Sequence, residues 1–242
     1  MYNRFAEGYY NIMKDTIQKD YCDYLLKLFE KYNISPEIIL DLGCGTGDIT
    51  YLLAEKGYDM IGVDISEDML NIAREKNSHK KILYLNQDMR EFELYGTVDV
   101  IYSSLDCFNY ITNKNDLKKV VKLCKNYLNP NGLLIFDINT LYKYENILNG
   151  NTFTYDTGNE YLVWQNEYDK KSKLCYFFLD MFYKKDDLYE RFYEEQVQRA
   201  YSLTELKDIL TSGGFKVLDI LDGFKMKKAK ENSEKVFFVC KG

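Results

Sequence analysis

Leu40-Asp41-Leu42-Gly43-Cys44-Gly45-Thr46-Gly47-Asp48 ends a short apolar strand, Ile38-Ile39-Leu40-Asp41-Leu42, in three alternating glycines. Glycine lets a backbone turn tightly after a strand and approach a ligand closely. A helix is expected over 49–57, ending at Gly57, a natural C-cap. A second strand, Met60-Ile61-Gly62-Val63-Asp64, then brings an acid 21 residues past Gly43. An acid in that place is set to accept hydrogen bonds from a ribose diol. A bare G-x-G pattern says little. The strand before it, the helix after it and Asp64 at the end of the next strand make it a nucleoside-binding turn.

The pattern continues on both sides. Residues 14–33 predict a helix with Ile17, Tyr21, Leu25, Leu28 and Phe29 on one stripe, and Pro36 resets the chain after it. Ser66 suits the N-cap of a helix after the second strand. Residues 81–86 and Val98–Tyr102 predict further strands, with a helix near 115–128. Asn129-Pro130-Asn131-Gly132 predicts a turn, and Leu133-Leu134-Ile135-Phe136 a buried strand. Short apolar strands alternating with helices predict a parallel sheet with right-handed crossovers.

The character changes after about residue 150. Residues 153–201 are dense in Tyr and Phe, with turn signals at Lys170-Lys171-Ser172 and Lys184-Lys185-Asp186-Asp187. They predict an antiparallel sheet of three or four strands. Ser202-Leu203-Thr204-Glu205 reads as a capping box, Gly213-Gly214 ends that helix, and 215–221 and 235–240 are further strands. The expected fold class is α/β: a doubly wound, mostly parallel sheet with an antiparallel β insertion after the fifth strand. Residues 1–150 and 202–242 would form the main domain, and 151–201 the insertion.

Composition narrows the function. With 242 residues, 46% hydrophobic and 29% charged, the chain suits one large domain or one domain with an insertion. The formal net charge of −6 argues against a nucleic-acid partner, which calls for a basic patch. No apolar stretch approaches the ~20 residues needed to span a bilayer. The opening residues carry no apolar signal region, so a cytoplasmic location is expected. Six scattered cysteines without a C-x-x-C pair read as reduced, packed thiols. The single histidine, His79, lies in a polar loop, which leaves no basis for a histidine metal site or a Ser-His-Asp triad; no metal is expected.

Charge selects the nucleoside. Asp41, two residues before the first glycine, would repel a diphosphate and favour a ligand carrying ammonium and sulfonium charges. S-adenosylmethionine is such a ligand. A carboxylate bonded only to its own turn is the alternative for Asp41. The P-loop pattern G-x-x-x-x-G-K followed by Ser or Thr is missing from the sequence.

The sequence here resembles the class I S-adenosylmethionine-dependent methyltransferases. The matching stretches are Asp41–Gly47, Gly62-Val63-Asp64-Ile65-Ser66, Asn86-Gln87-Asp88-Met89, Val98-Asp99-Val100-Ile101 and Asn131–Asp137. The resemblance covers about 35–140 and implies a Rossmann-like sheet of about seven strands. It implies that Gly43, Cys44, Gly45 and Gly47 face the methionyl and ribose portions, with Asp41 at the ammonium. Asp64 would bind the ribose hydroxyls and Ile65 would lie against adenine. Asp88 would accept from the adenine amine, unless it is a helix N-cap, and the Met89 N–H would meet a ring nitrogen. Ser104 and Leu105 would lie near the transferred methyl. Tyr2, Phe5-Ala6, Tyr9 and Met13 resemble the Y-x-x-F-A-x-x-Y-D-x-x-M opening of a small-molecule subgroup, in which residues 1–34 would form lid helices. The chain carries Tyr10 where that subgroup has Asp. Within it, uncharacterised clostridial-type methyltransferases are most similar.

Methyl transfer from a sulfonium is an in-line displacement in which the protein supplies alignment and exclusion of water. Asp106 and Tyr9 are the candidate bases or orienters. Asp106, Asn109, Trp164 and Glu167 are candidate acceptor contacts, although Asp106 could equally be a loop acid or an N-cap. Only Pro36 and Pro130 exist, so the Pro-Pro motif of adenine-N6 and glutamine methyltransferases and the Pro-Cys of cytosine-C5 enzymes are missing. A small-molecule amine or hydroxyl is the expected acceptor. The alternatives are a non-catalytic S-adenosylmethionine-binding protein, or an enzyme acting on a protein or tRNA. The aromatic insertion would roof the acceptor or form a dimer face, leaving monomer or homodimer open.

Overall fold

The computed structural model describes residues 17–242. The expectations on Tyr2, Phe5, Ala6, Tyr9, Tyr10 and Met13 lie outside the described residues. Helix α1 (Gln18–Lys31) buries Tyr21, Cys22, Tyr24, Leu25, Leu28 and Phe29. Strand β1 (Ile38–Leu42) runs into the glycine turn, and α2 (Asp48–Glu55) leaves it from Gly47. Then follow β2 (Asp59–Asp64) and α3 (Glu67–Lys76). The Ser66 hydroxyl caps α3 by accepting the Met69 N–H, and acids in its first turn with bases in its last suit the helix dipole. Strands β3 (Leu83–Asn86) and β4 (Val98–Ser103) precede α4 (Lys114–Tyr127), which is capped by Asn113. After β5 (Leu128–Asn139), a helical turn at Leu141–Lys143 continues as a π-helical turn at Tyr144–Leu148.

The second sheet follows: β6 (Thr152–Asp156), β7 (Glu160–Asp169), β8 (Leu174–Lys185) and β9 (Leu188–Arg199). It is a four-stranded antiparallel meander in sequence order. Leu162, Cys175, Phe177, Leu179 and Met181 pack on Tyr144 and Leu148. The chain then returns through α5 (Leu203–Ser212), whose capping box uses Ser202 and Glu205, and ends in β10 (Lys216–Asp222) and β11 (Lys235–Lys241).

The main sheet has seven strands in the order β10-β11-β5-β4-β1-β2-β3. β1 pairs in parallel with both β2 and β4, and β11 is antiparallel to β5 and β10. Strand order therefore reverses between β1 and β4. Ligands of open α/β sheets bind outside the carboxyl ends of the strands at such a reversal. Both faces are covered, as the alternation along β5 shows. Leu133 and Ile135 pack with α1 and α2, while Leu134, Phe136 and Ile138 pack with α4 and α5. Each such fully buried side chain contributes about 1.5–3 kcal/mol.

One local expectation takes a different form. Asn129–Gly132 does not separate a helix from a strand; it is a distortion within β5. Leu128 pairs with Val98, but Leu133 pairs with Val100, so extra residues loop out of the ladder. Asn131 absorbs the bend in the left-handed region, at φ 68.

Candidate functional site

The glycine turn is pinned to the end of β2, because the N–H groups of Gly43 and Cys44 both donate to Val63 O, at 2.7 and 3.0 Å. Gly43 has φ 87, and a Cβ on it would lie 2.8 Å from Cys107 Sγ. Glycine is required there on both counts. A Cβ on Gly45 would meet nothing within 4 Å, so this part of the turn opens onto free space. Gly47 makes the left-handed step into α2. Cys44 turns away from that opening: its Sγ packs against Gly62 on β2.

Two acids flank the turn. Asp64 accepts the Gly45 N–H on Oδ2 and the Ser66 N–H on Oδ1, each at 2.8 Å. Burial raises its pKa, while those backbone donors pull it back. Each carboxylate oxygen keeps a further lone pair, so Asp64 can hold the turn and still accept hydroxyls. Asp41 is fully buried, on the face of β1 that meets α2. Its Oδ2 accepts from the Thr50 hydroxyl, at 2.5 Å, and from the Tyr102 hydroxyl. Its Oδ1 is buried with no hydrogen-bond partner among the described residues. Burial pushes the carboxyl up to about 7 against the pull of the two hydroxyls. A buried acceptor without a donor is costly, and a cationic donor would relieve that cost.

A cavity of about 300 Å³ opens beside the turn, lined by Gly43, Asp64, Ile65, Asp88, Met89 and Cys107 among others. Ile65 is 66% exposed, an apolar side chain presented at the cavity. Asp88 caps no helix, since a turn follows it. Its Oδ1 accepts the Arg90 N–H, at 2.8 Å, and both oxygens accept from the Arg90 guanidinium. That guanidinium holds the carboxyl below its ordinary pKa.

Past β4, Ser104 is buried, and Leu105 and Asp106 are consecutive left-handed residues, at φ 57 and 53. Here the structure reveals a cluster that sequence reasoning missed. Asp137 on β5 is completely buried, and its Oδ2 accepts from the Tyr21 hydroxyl at 2.9 Å, from the Asp106 N–H at 3.1 Å and from Lys235. Lys235 Nζ also donates to Asp106 Oδ1 and to the Tyr21 oxygen, each at 3.0 Å. Gln198 Nε2 donates to Asp106 Oδ2 at 2.6 Å. Burial raises the Asp137 pKa. Burial also works against the Asp106 carboxylate, but Lys235 and Lys143 hold it below its ordinary value. A signal was present in the sequence: Asp137 follows Leu133–Phe136 and Lys235 precedes Val236–Cys240, charges inside apolar strands. Such charges must be paired.

Two acceptor expectations are corrected. Asn109 is fully buried, and its amide is spent on the backbone. Its Nδ2 donates to Arg199 O and Asn139 O, at 2.9 and 3.3 Å, and its Oδ1 accepts the Asn139 N–H at 2.9 Å. It ties the post-β4 turn to both sheets and, fully buried, presents no surface to an acceptor. Glu167 is exposed between buried Asn166 and Tyr168, so strand alternation puts it on the outer face of the second sheet. Trp164 lies on the inner face, edge-on to Phe177 at 5.4 Å between ring centroids. Its Nε1 has no hydrogen-bond partner among the described residues.

Comparison with known proteins bears on this geometry. A family described as "Methyltransferase domain" matches residues 39–132. YqeM of Bacillus subtilis (strain 168), which carries the name of a methyltransferase, is 33% identical over 202 residues, covering 83% of this chain and 82% of its own. A methyltransferase-named protein of Geobacillus sp. (strain WCH70) is 31% identical over 244 residues, 99% of each chain. The crystal structure of an S-adenosylmethionine-dependent methyltransferase from Clostridium acetobutylicum ATCC 824 matches with a TM-score of 0.89. It is 32% identical, over 99% of this chain and 98% of that one. A glycine turn at the strand-order reversal, Asp64 at the end of β2 and relatives aligned along nearly the whole length lead to one conclusion: the chain belongs to the class I S-adenosylmethionine-dependent methyltransferases.

Proposed function

We propose that the enzyme transfers a methyl group from S-adenosylmethionine to an amine or hydroxyl of a small molecule. One observation carries the cofactor assignment: Asp41 Oδ1 is buried without a hydrogen-bond partner among the described residues, and Asp41 stands two positions before the first glycine of a turn that opens to free space at Gly45. A buried, unpaired carboxylate oxygen suits an ammonium and opposes a phosphate. Asp64 is assigned to the ribose hydroxyls, Ile65 and Met89 to the adenine, and Ser104 and Leu105 to the neighbourhood of the methyl. Asp88 is assigned to the adenine amine through the lone pairs that Arg90 leaves free. Tyr2, Phe5 and Tyr9 are assigned to the cofactor from their sequence pattern.

When bound, S-adenosylmethionine supplies an electrophilic methyl on a sulfonium. The chain's part is to align the acceptor and exclude water. Asp106 is assigned as an anionic orienter and not as a proton acceptor. Both its oxygens already accept hydrogen bonds, and a carboxylate held below its ordinary pKa is a weak base. A neutral amine needs no base. The acidic net charge and the aromatic inner face of the second sheet, with Trp164, support a small acceptor.

The test is release of S-adenosylhomocysteine from purified protein incubated with S-adenosylmethionine and panels of amines, hydroxyl compounds, tRNA and protein. Turnover with a small amine or hydroxyl compound is expected. Turnover with tRNA or protein alone would overturn the assignment.

A further inference from the structure

Leu105 and Asp106 are two successive non-glycine residues in the left-handed region, at φ 57 and 53. Each is costly for a residue with a side chain and persists only where its surroundings impose it. The surroundings here are specific. The Leu105 N–H donates to the Tyr21 oxygen at 3.3 Å, and the Asp106 N–H donates to Asp137 Oδ2 at 3.1 Å. Both acceptors are in turn held by Lys235, whose ammonium also reaches Asp106 Oδ1. A lysine has three N–H donors, and Lys235 spends them on three segments: α1, β5 and the turn after β4.

Without this ammonium, two buried carboxylates would face each other, and one would have to take up a proton or move. The groups facing Asp106 come from every neighbouring element. Among the described residues they are Lys235 from β11, Lys143 from the turn after β5, Asp137 from β5, Tyr21 from α1, Gln198 from β9, Tyr144 beside it and the neighbouring Cys107. Lys143 donates to Asn139 Oδ1 at 2.9 Å, and among the described residues Lys235 is the cation within hydrogen-bond distance of Asp106.

We propose that Lys235 is a positioning residue for methyl transfer: by bridging Asp106, Asp137 and Tyr21 it holds the Ser104–Asp106 turn in its acceptor-facing shape. The proposal rests on the reading that residues 104–106 border the transferred methyl. Lys235 acts through Asp106.

The test compares Lys235→Met and Lys235→Arg with the parent in the full chain. Carboxyl carbon-13 NMR of labelled aspartate should show Asp106 ionised to acid below the ordinary range in the parent and the Arg variant. In the Met variant it should titrate at higher pH. Amide exchange at Leu105 and Asp106 should quicken at least about tenfold in the Met variant and return in the Arg variant. With the acceptor found by the product-release screen, kcat should fall at least about tenfold in the Met variant and recover in the Arg variant, with KM for S-adenosylmethionine unchanged. Parent-like titration and exchange in the Met variant would overturn the proposal, as would unchanged kcat. Should that variant fail to fold, Asp137→Asn should speed exchange at the Asp106 amide, and unchanged exchange there would overturn it. S-adenosylhomocysteine titrated into the parent separates the two readings. No binding sinks the cofactor assignment and leaves the NMR result standing.

Discussion

Asp41 and Asp64 are held by uncharged donors, the hydroxyls of Thr50 and Tyr102 and the N–H groups of Gly45 and Ser66. Asp106 and Asp137, further along the same sheet edge, share the ammonium of Lys235. Among the described residues the first pair keeps acceptor capacity and is bonded by no cation. The second has its cation built into the fold. A pair without a counter-charge is suited to a ligand that brings one, and a pair already neutralised is suited to holding the backbone. The same residue type therefore does two jobs, separated by what surrounds it.

The largest effect should come from breaking the closed pair. Asp137→Ala leaves the buried Lys235 with one carboxylate and removes the acceptor of the Tyr21 O–H, the Asp106 N–H and one Lys235 N–H. It should destabilise the fold by about 3–5 kcal/mol in denaturant titration. The folded fraction should keep its S-adenosylhomocysteine affinity. In the open pair the pattern reverses. Asp64→Ala should weaken S-adenosylmethionine at least about a hundredfold by calorimetry, the worth of two charged hydrogen bonds. Unchanged affinity would remove Asp64 from the ribose.

Gly43→Ala tests the turn between the pairs. The left-handed φ and the contact with Cys107 Sγ together should cost about 1–3 kcal/mol of stability. A variant with parental stability and affinity would show that the turn is not confined.

The mildest test is pH. The Asp41 carboxyl sits at about 7, and an ammonium favours its ionised form. Affinity for S-adenosylmethionine should be level above pH 7 and fall below it by up to about tenfold per unit; in Asp41→Asn it should be flat. Stability runs the other way. The native state holds this proton more tightly than the unfolded chain. The Asp41 contribution is therefore lost as pH rises from the ordinary carboxylate range to about 7. Asp41→Asn should abolish that slope.

The two regions also differed in how far the sequence revealed them. The glycine turn and Asp64 lie within one strand-turn-helix-strand unit, so spacing alone brings them together: Asp64 bonds Gly45, 19 positions away. The Tyr and Phe density of 153–201 and the turn signals near 171 and 185 predict an antiparallel sheet, and the period-2 pleat places Glu167 on the outside once burial along β7 is known. Lys235 and Asp137 are 98 positions apart. Their isolation in apolar strands says that each needs a partner, and only the order β5-β11 says which. By sequence Asn109 is a candidate acceptor contact because it lies just after the fourth strand; its commitment to Asn139 and Arg199 depends on where β9 ends. Residues 141–148 were not foreseen as helical, since one turn that widens into a π-helical turn gives no amphipathic period.

Calorimetric competition between S-adenosylhomocysteine and NAD tests the central assignment most directly. Asp41 Oδ1, buried without a partner among the described residues, predicts one S-adenosylhomocysteine per chain, with a heat unaltered by a large excess of NAD. Displacement by NAD, or tight NAD binding without S-adenosylhomocysteine binding, would contradict it.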